Sequence, residues 1–190
     1  MNKGYTEGEN FSGIAFSALE MAKGDFENCR FTNCSFPNSN FSEFNFIECE
    51  FQNCDVSMAK VKSTGLKTVT FKNCKLLGIH FGDCNPFSLS LHFEDCLLNL
   101  SSFYKLKLKG TTFKNCNLQE ADFTETELTG STFENCDLAG AIFENSVLEK
   151  VNFQTAFNYS IDPAINRIKK AKFSMSGIMG LLDKYDIEIK

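Results

Sequence analysis

Large apolar residues recur at every fifth position along most of the chain. One series runs from Phe11 to Phe81 and a second from Phe93 to Phe153, and each of their fifth residues is large and apolar. The position two residues before each of these usually holds Cys, Ala, Ser or Thr. Residues two apart in an extended backbone point to the same side. Each group of five therefore turns two side chains inward, and the other three, which are mostly polar, point outward.

A period of five fits neither a helix, which has 3.6 residues per turn, nor a long strand, which alternates with a period of two. It predicts short extended segments joined by turns. Within the ranges of the two series, cysteines at the second inward position are spaced by 20 residues: Cys34, Cys54 and Cys74, then Cys96, Cys116 and Cys136. Identical residues stack best directly above one another in parallel, in-register strands. The sequence therefore predicts an all-β parallel solenoid with 20 residues per turn and four sides.

One irregularity interrupts the repeat. Phe71 and Phe93 are 22 residues apart, and the two extra residues fall near Asn85–Ser88, where Pro86 cannot donate to a ladder. We expect a bulge or small loop there, in an irregular coil spanning residues 82–92. The predicted organisation is a polar N-terminal segment over residues 1–10, a solenoid over 11–173 and a C-terminal segment over 174–190.

Two stretches resemble the pentapeptide-repeat proteins: Phe-Glu-Asn-Cys-Arg-Phe-Thr-Asn-Cys-Ser-Phe at 26–36, and Ala-Asp-Phe-Thr-Glu from residue 121. The resemblance covers about residues 11–153, with one further coil to Phe173. It implies a right-handed quadrilateral β-helix of about eight coils. The chain departs from the family pattern in having larger residues at some second inward positions, namely Ile14, Leu19, Phe44, Val69 and Ile79.

Nothing in the sequence predicts catalysis. All nine cysteines occupy the second inward position, so we interpret them as buried, reduced, structural thiols. They lack the short Cys-x-x-Cys spacings typical of zinc sites, and no phosphate- or dinucleotide-binding motif is present. His80 and His92 each precede an inward Phe and should point outward. We therefore expect no enzyme, no metal and no cofactor.

Charge is divided along the chain. The net charge is −5 and the pI is about 5.1, which argues against nucleic-acid binding. No apolar run reaches membrane-spanning length, and residues 1–10 lack a secretory signal, so we expect a cytoplasmic protein. Residues 55–110 carry eight bases and four acids, whereas residues 111–150 carry eight acids and two bases. Those eight acids form the predicted partner-facing patch: Glu120, Asp122, Glu125, Glu127, Glu134, Asp137, Glu144 and Glu149.

The C-terminal segment resembles that of many bacterial pentapeptide-repeat proteins, some of which are similar to quinolone-resistance proteins that bind DNA gyrase as mimics of DNA. Its apolar residues first follow a helical spacing, so we expect a short α-helix that closes the solenoid. Beyond that end-plug role, the resemblance implies a homodimer interface: Ile178, Met179, Leu181, Leu182, Tyr185, Ile187 and Ile189. Two functions remain open: a rigid scaffold for an unidentified protein partner, or a DNA mimic that binds gyrase. The basic residues at 55–110 count against the second, because duplex DNA is uniformly negative.

Overall fold

Short strands form where the five-residue pattern places an inward apolar residue in extended backbone. The computed structural model describes residues 4–15 and 23–188, and those residues contain eleven strands. They are β1 (Gly4–Glu7), β2 (Asn10–Ser12), β3 (Gly24–Glu27), β4 (Arg30–Thr32), β5 (Asn45–Ile47), β6 (Glu50–Gln52), β7 (Gly65–Lys67), β8 (Val69–Lys72), β9 (Leu91–Glu94), β10 (Thr112–Lys114) and β11 (Thr132–Glu134). Two sheets result, one in the order β1-β3-β5-β7 and one in the order β11-β10-β9-β8-β6-β4-β2.

Every strand pair is parallel, and the register follows the 20-residue period. Phe31 pairs with Phe51 and Phe113 with Phe133, whereas Phe71 pairs with Phe93 across the predicted two-residue insertion. Isolated bridges such as Asp55–Lys75 and Asn40–Lys60 supply two further columns of pairing. The strands from β2 to β11 span about six turns, so the predicted all-β parallel solenoid is confirmed. Its right-handed sense and the count of eight coils stay predictions.

Asparagine suits the corners because it tolerates the left-handed backbone region. Asn33, Asn53 and Asn73 have φ values of 54°, 56° and 49°. Their side chains also form a ladder: the Nδ2 of Asn53 donates to Asn33 Oδ1 at 3.0 Å, and that of Asn73 donates to Asn53 Oδ1 at 2.8 Å. The column of asparagines is thus a structural feature of the turns.

Stacked phenyl rings fill the interior. Phe113 lies between Phe93 and Phe133, with ring centroids 5.1 and 4.9 Å away and nearly parallel planes. Rings of the adjacent column, Phe103 and Phe123, meet Phe113 edge-on. All nine cysteines are buried and free, as the sequence predicts. Most donate to a main-chain carbonyl; Cys136 Sγ, for example, lies 3.3 Å from Phe113 O. Among the larger second-position residues, Phe44, Val69 and Ile79 are buried, Ile14 is half-buried, and Leu19 lies outside the described residues.

The C-terminal segment departs from the sequence prediction. In place of an α-helix it forms two short 3₁₀ helices, Ile178–Leu181 and Asp183–Tyr185. Gly177 and Gly180 press so closely on Tyr159 that a Cβ at either position would overlap it. Two glycines weaken an α-helix, and the tight approach to Tyr159 dictates the local path instead.

Candidate functional site

The predicted acidic patch is spread around the solenoid. Asp122, Glu127, Glu134 and Asp137 each belong to a different one of the four pairing columns. Glu120 and Glu125 occupy corners with positive φ, and Glu144 and Glu149 directly follow inward residues. A partner that touches one side of a rod contacts one or two columns, so it would reach only part of this set.

Ion pairs along the rod neutralise several of these acids. Three pairs join adjacent turns: Lys105–Glu125 at 3.4 Å, Lys109–Glu127 at 2.9 Å and Arg167–Glu149 at 2.6 Å. Such exposed pairs add little stability, but each offsets a negative charge that a partner would meet.

Burial would raise the pKa of Asp137, yet hydrogen bonds from Asn158 and Gln119 outweigh it and lower that pKa.

Three acids lie on or at the corners of one side of the solenoid. Asp122 lies in the column that also contains Ser102, whose hydroxyl donates to Asp122 Oδ2 at 3.1 Å. Glu144 is exposed one turn later in the corner that follows this side, next to Asn145, and Glu120 occupies the corner that precedes this side. In the part of the chain that the structure describes, none of the three acids forms an ion pair. We call Glu120, Asp122 and Glu144 the acidic side.

The C-terminal segment closes the last turn and leaves apolar surface exposed. Tyr159 and Phe173 pack on Phe153 with ring centroids 5.6 and 5.4 Å away, and Leu181 packs against this core. Ile161 N–H donates to Gly180 O at 2.8 Å. Four of the predicted interface residues are exposed: Ile178 (43%), Met179 (42%), Tyr185 (58%) and Ile187 (55%). Leu181 and Leu182 are half-buried, and Ile189 lies outside the described residues.

The two-residue insertion forms a small loop outside the solenoid. After a 3₁₀ helix at Phe81–Asp83, the chain leaves the solenoid at residues 85–88 and returns at Leu89, which packs against the core. Phe87 N–H donates to the side-chain Oδ1 of Asn85 at 3.0 Å, and Ser88 has a φ of 59°. Phe87 itself is 83% exposed.

The groups considered for catalysis point outward. His80 and His92 are both exposed, as their spacing predicts. Within residues 4–15 and 23–188, His, Cys, Asp and Glu form no group of three or more that could hold a metal ion. None of the helices in these residues has the length and apolar character needed to cross a membrane.

Sequence comparison agrees with the repeat geometry. The family profile described as a pentapeptide repeat region matches residues 24–92 and 89–157, which together cover more than half of the chain. The chain belongs to the pentapeptide-repeat proteins. No curated protein is significantly similar to it in sequence.

Solved structures were compared with the chain, and one of them shares its fold. A trypsin-treated variant of QnrB1, a plasmid-mediated fluoroquinolone resistance protein, superposes with a TM-score of 0.75 at 16% identity; the match covers 98% of this chain and 92% of that one. Full-length QnrB1 gives 0.37 at 15% identity over 97% and 100% of the two chains. HetL from the cyanobacterium Nostoc sp. strain PCC 7120, involved in heterocyst differentiation regulation, gives 0.37 at 13% over 91% and 87%. At these identities the first match shows a shared fold, and the other two carry no argument.

Sequence reasoning missed two residues of this pentapeptide-repeat protein. The five-residue phase assigns an inward position to Asn158, but Asn158 is exposed and Tyr159 is buried in its place. Phe87 falls outside both apolar series, and from this the sequence could have predicted that its side chain points outward.

Proposed function

We propose that this pentapeptide-repeat protein is a non-catalytic, rigid scaffold that binds a protein partner through its outer sides. The observation that carries the proposal is the interior filled by stacked Phe and Leu side chains, such as Phe113 and Leu118, both with no exposed surface. A filled interior directs polar chemistry to the outside, where parallel columns of side chains form flat sides. A flat, rigid side loses little conformational entropy when it binds a protein surface.

The acidic side is the proposed contact. Asp122 is held by Ser102 and by Thr124 N–H, which donates to its Oδ1 at 2.9 Å, so its charge has a fixed position. Fixed charge of one sign steers association and favours a basic partner surface. Glu120 and Glu144 place further negative charge at the two corners of the same side.

A capture experiment tests the scaffold. The purified protein is compared with an Asp122→Lys/Glu144→Lys variant as bait, and a Lys150→Glu variant serves as a charge-changed control. We expect the wild type and the control to retain the same partner, and the double variant to lose it. Retention by all three would contradict the acidic side, and absence of any specific partner would contradict the scaffold.

Gyrase binding is the second candidate. It is supported by the superposition with QnrB1, which extends over 98% of this chain and is therefore consistent with a rod of similar extent. Purified protein added to a gyrase supercoiling reaction, with and without a quinolone, tests it directly. Inhibition, or protection from the drug, that disappears in the Asp122→Lys/Glu144→Lys variant would support DNA mimicry. No effect at micromolar protein would contradict it.

We further propose that the exposed apolar residues of the C-terminal segment pair with those of a second copy. Ile178, Met179, Tyr185 and Ile187 are all exposed on the segment that closes one end of the solenoid, and Met179 and Ile187 line one groove there. Exposed apolar surface of this kind on a folded protein marks an interface. A two-fold pairing would bury the same surface on both copies and double the length of the rod.

A further inference from the structure

The loop at residues 85–88 is firmly anchored to the turn before it. Four backbone hydrogen bonds of 2.8 to 3.0 Å hold its two stems: Ser63 N–H to Asp83 O, Asn85 N–H to Thr64 O, Ser90 N–H to Leu66 O and Val69 N–H to Ser90 O. Both stems are fixed to the preceding turn and Asn85 closes the loop, so the backbone places Phe87 outside the solenoid. Phe87 is 83% exposed, so its ring contributes little hydrophobic stabilisation to the fold.

Lysines flank the loop on both sides. Lys67 lies on the preceding turn, next to the residues that anchor the stems, and it is exposed. His80 pairs with Ser102 and His92 with Thr112, so the segment that contains the loop lies beside residues 103–111 of the following turn. That stretch includes Lys107 and Lys109, both exposed.

Two of these lysines are not neutralised within the described residues. Lys67 and Lys107 form no ion pair there, whereas Lys109 Nζ lies 2.9 Å from Glu127 Oε1. Two acids share this side: Asp83, which is exposed at the first stem of the loop, and Glu127, which lies beside Lys107 in the same column and forms the ion pair with Lys109. The three lysines and these two acids together carry a net charge of +1, on a protein whose overall charge is −5.

The loop also interrupts the backbone ladder beside Lys107. One turn later, Glu127 N–H donates to Leu106 O, and Glu127 O accepts from Leu108 N–H, both at 2.8 Å. The equivalent N–H and C=O of Lys107 form no backbone hydrogen bond with any described residue on the loop side. Unpaired main-chain groups at the protein surface are solvated, and a peptide can pair with them in place of water.

We propose that the Phe87 loop, with Lys67 and Lys107, binds an acidic peptide segment of a partner protein that carries a large apolar side chain. This deepens the proposed scaffold function and rests on it. The apolar side chain packs on the Phe87 ring, its acidic neighbours meet the lysines, and its main chain reaches the unpaired groups of Lys107. Nucleic acids and anionic membranes can also bind a surface that carries lysine and phenylalanine, but the protein's net charge of −5 repels an extended polyanion.

A library of random linear peptides displayed on phage tests the proposal. Phage are selected on the full-length protein in the presence of excess Phe87→Ser/Lys67→Glu/Lys107→Glu competitor, and the recovered peptides are synthesised with a fluorescent label. We expect peptides rich in Asp and Glu with at least one large apolar residue. Their affinity, measured by fluorescence anisotropy, should fall about tenfold or more in Phe87→Ser and should weaken as salt is added.

Matched variants separate the loop from general surface effects. Phe157→Ser removes an exposed phenyl ring elsewhere, and Lys75→Glu reverses a charge on the side two columns away. Both should bind the peptides as the wild type does. Because Phe87 is exposed, Phe87→Ser should melt at the wild-type temperature, so lost binding would not reflect unfolding.

Three results would overturn the proposal. One is the recovery of only basic or neutral peptides, or of none that depend on the loop. A second is equal loss of binding in the Phe157→Ser and Lys75→Glu controls. The third is loop-dependent binding of a labelled oligothymidine or of phosphatidylglycerol vesicles instead of the acidic peptides. If the loop does not bind acidic peptides but Asp122→Lys/Glu144→Lys still abolishes partner capture, the loop proposal is wrong and the scaffold function stands.

Discussion

Replacing Phe113 by Ala should be among the most damaging single changes in the solenoid. Its ring has no exposed surface and lies between the parallel rings of Phe93 and Phe133. Edge-on contacts with Phe103 and Phe123, at centroid distances of 5.6 and 5.9 Å, close the remaining sides. Backbone ladders hold these neighbours in register, so they cannot collapse into the space that the ring leaves.

The expected loss in free energy of unfolding is at the upper end of the about 3–5 kcal/mol typical of a buried Phe→Ala change. Phe11 provides a matched control. It is half-buried and stacks on one described ring, that of Phe31, at 4.8 Å. Phe11→Ala should therefore cost about 1 kcal/mol, which corresponds to roughly half of the transfer free energy of a fully buried ring.

Guanidinium denaturation followed by circular dichroism measures both losses. With a denaturant dependence of about 4 kcal/mol per M, Phe113→Ala should lower the midpoint by about 1 M and Phe11→Ala by less than half of that. A solenoid is stabilised by contacts between neighbouring turns, so an interior defect should also broaden the transition. Equal midpoints for the two variants would refute the argument that two-sided stacking sets the cost.

Three further predictions concern the thiols and the C-terminal segment. The cysteines should not react with a thiol reagent until the protein unfolds, because all nine are buried, and at Cys49 burial also raises the pKa to about 11; rapid native-state labelling would contradict this. Lys184 lowers the pKa of Asp162 through a hydrogen bond, so this carboxylate stabilises the fold near neutral pH and the contribution is lost as the pH falls below about 3.9. Asp162→Asn should therefore lower the melting temperature at pH 7 but not at about pH 2. Met179→Asp/Ile187→Asp should convert a dimer to a monomer by light scattering, and a wild type already monomeric at high concentration would rule out the pairing.

Much of the fold could be predicted from the sequence because a parallel solenoid stacks equivalent residues directly. A spacing in the chain then becomes a register in the structure: the interval between Phe113 and Phe133 is the length of one turn. Asn53 could likewise be assigned to a corner, because Asn tolerates a positive φ and its side chain bonds to the Asn one turn away.

Tertiary packing decided the features on which the candidate sites depend. The local pattern of the C-terminal segment predicts an α-helix, but the close approach of Gly177 and Gly180 to Tyr159 produces 3₁₀ turns instead. The eight acids at 111–150 are neighbours in sequence, yet five residues advance the chain by one side, so a linear cluster becomes a ring. Phe87 lies in an insertion that follows no repeat, and only its anchored stems and the lysines of adjacent turns, which are distant in sequence, make it a candidate site.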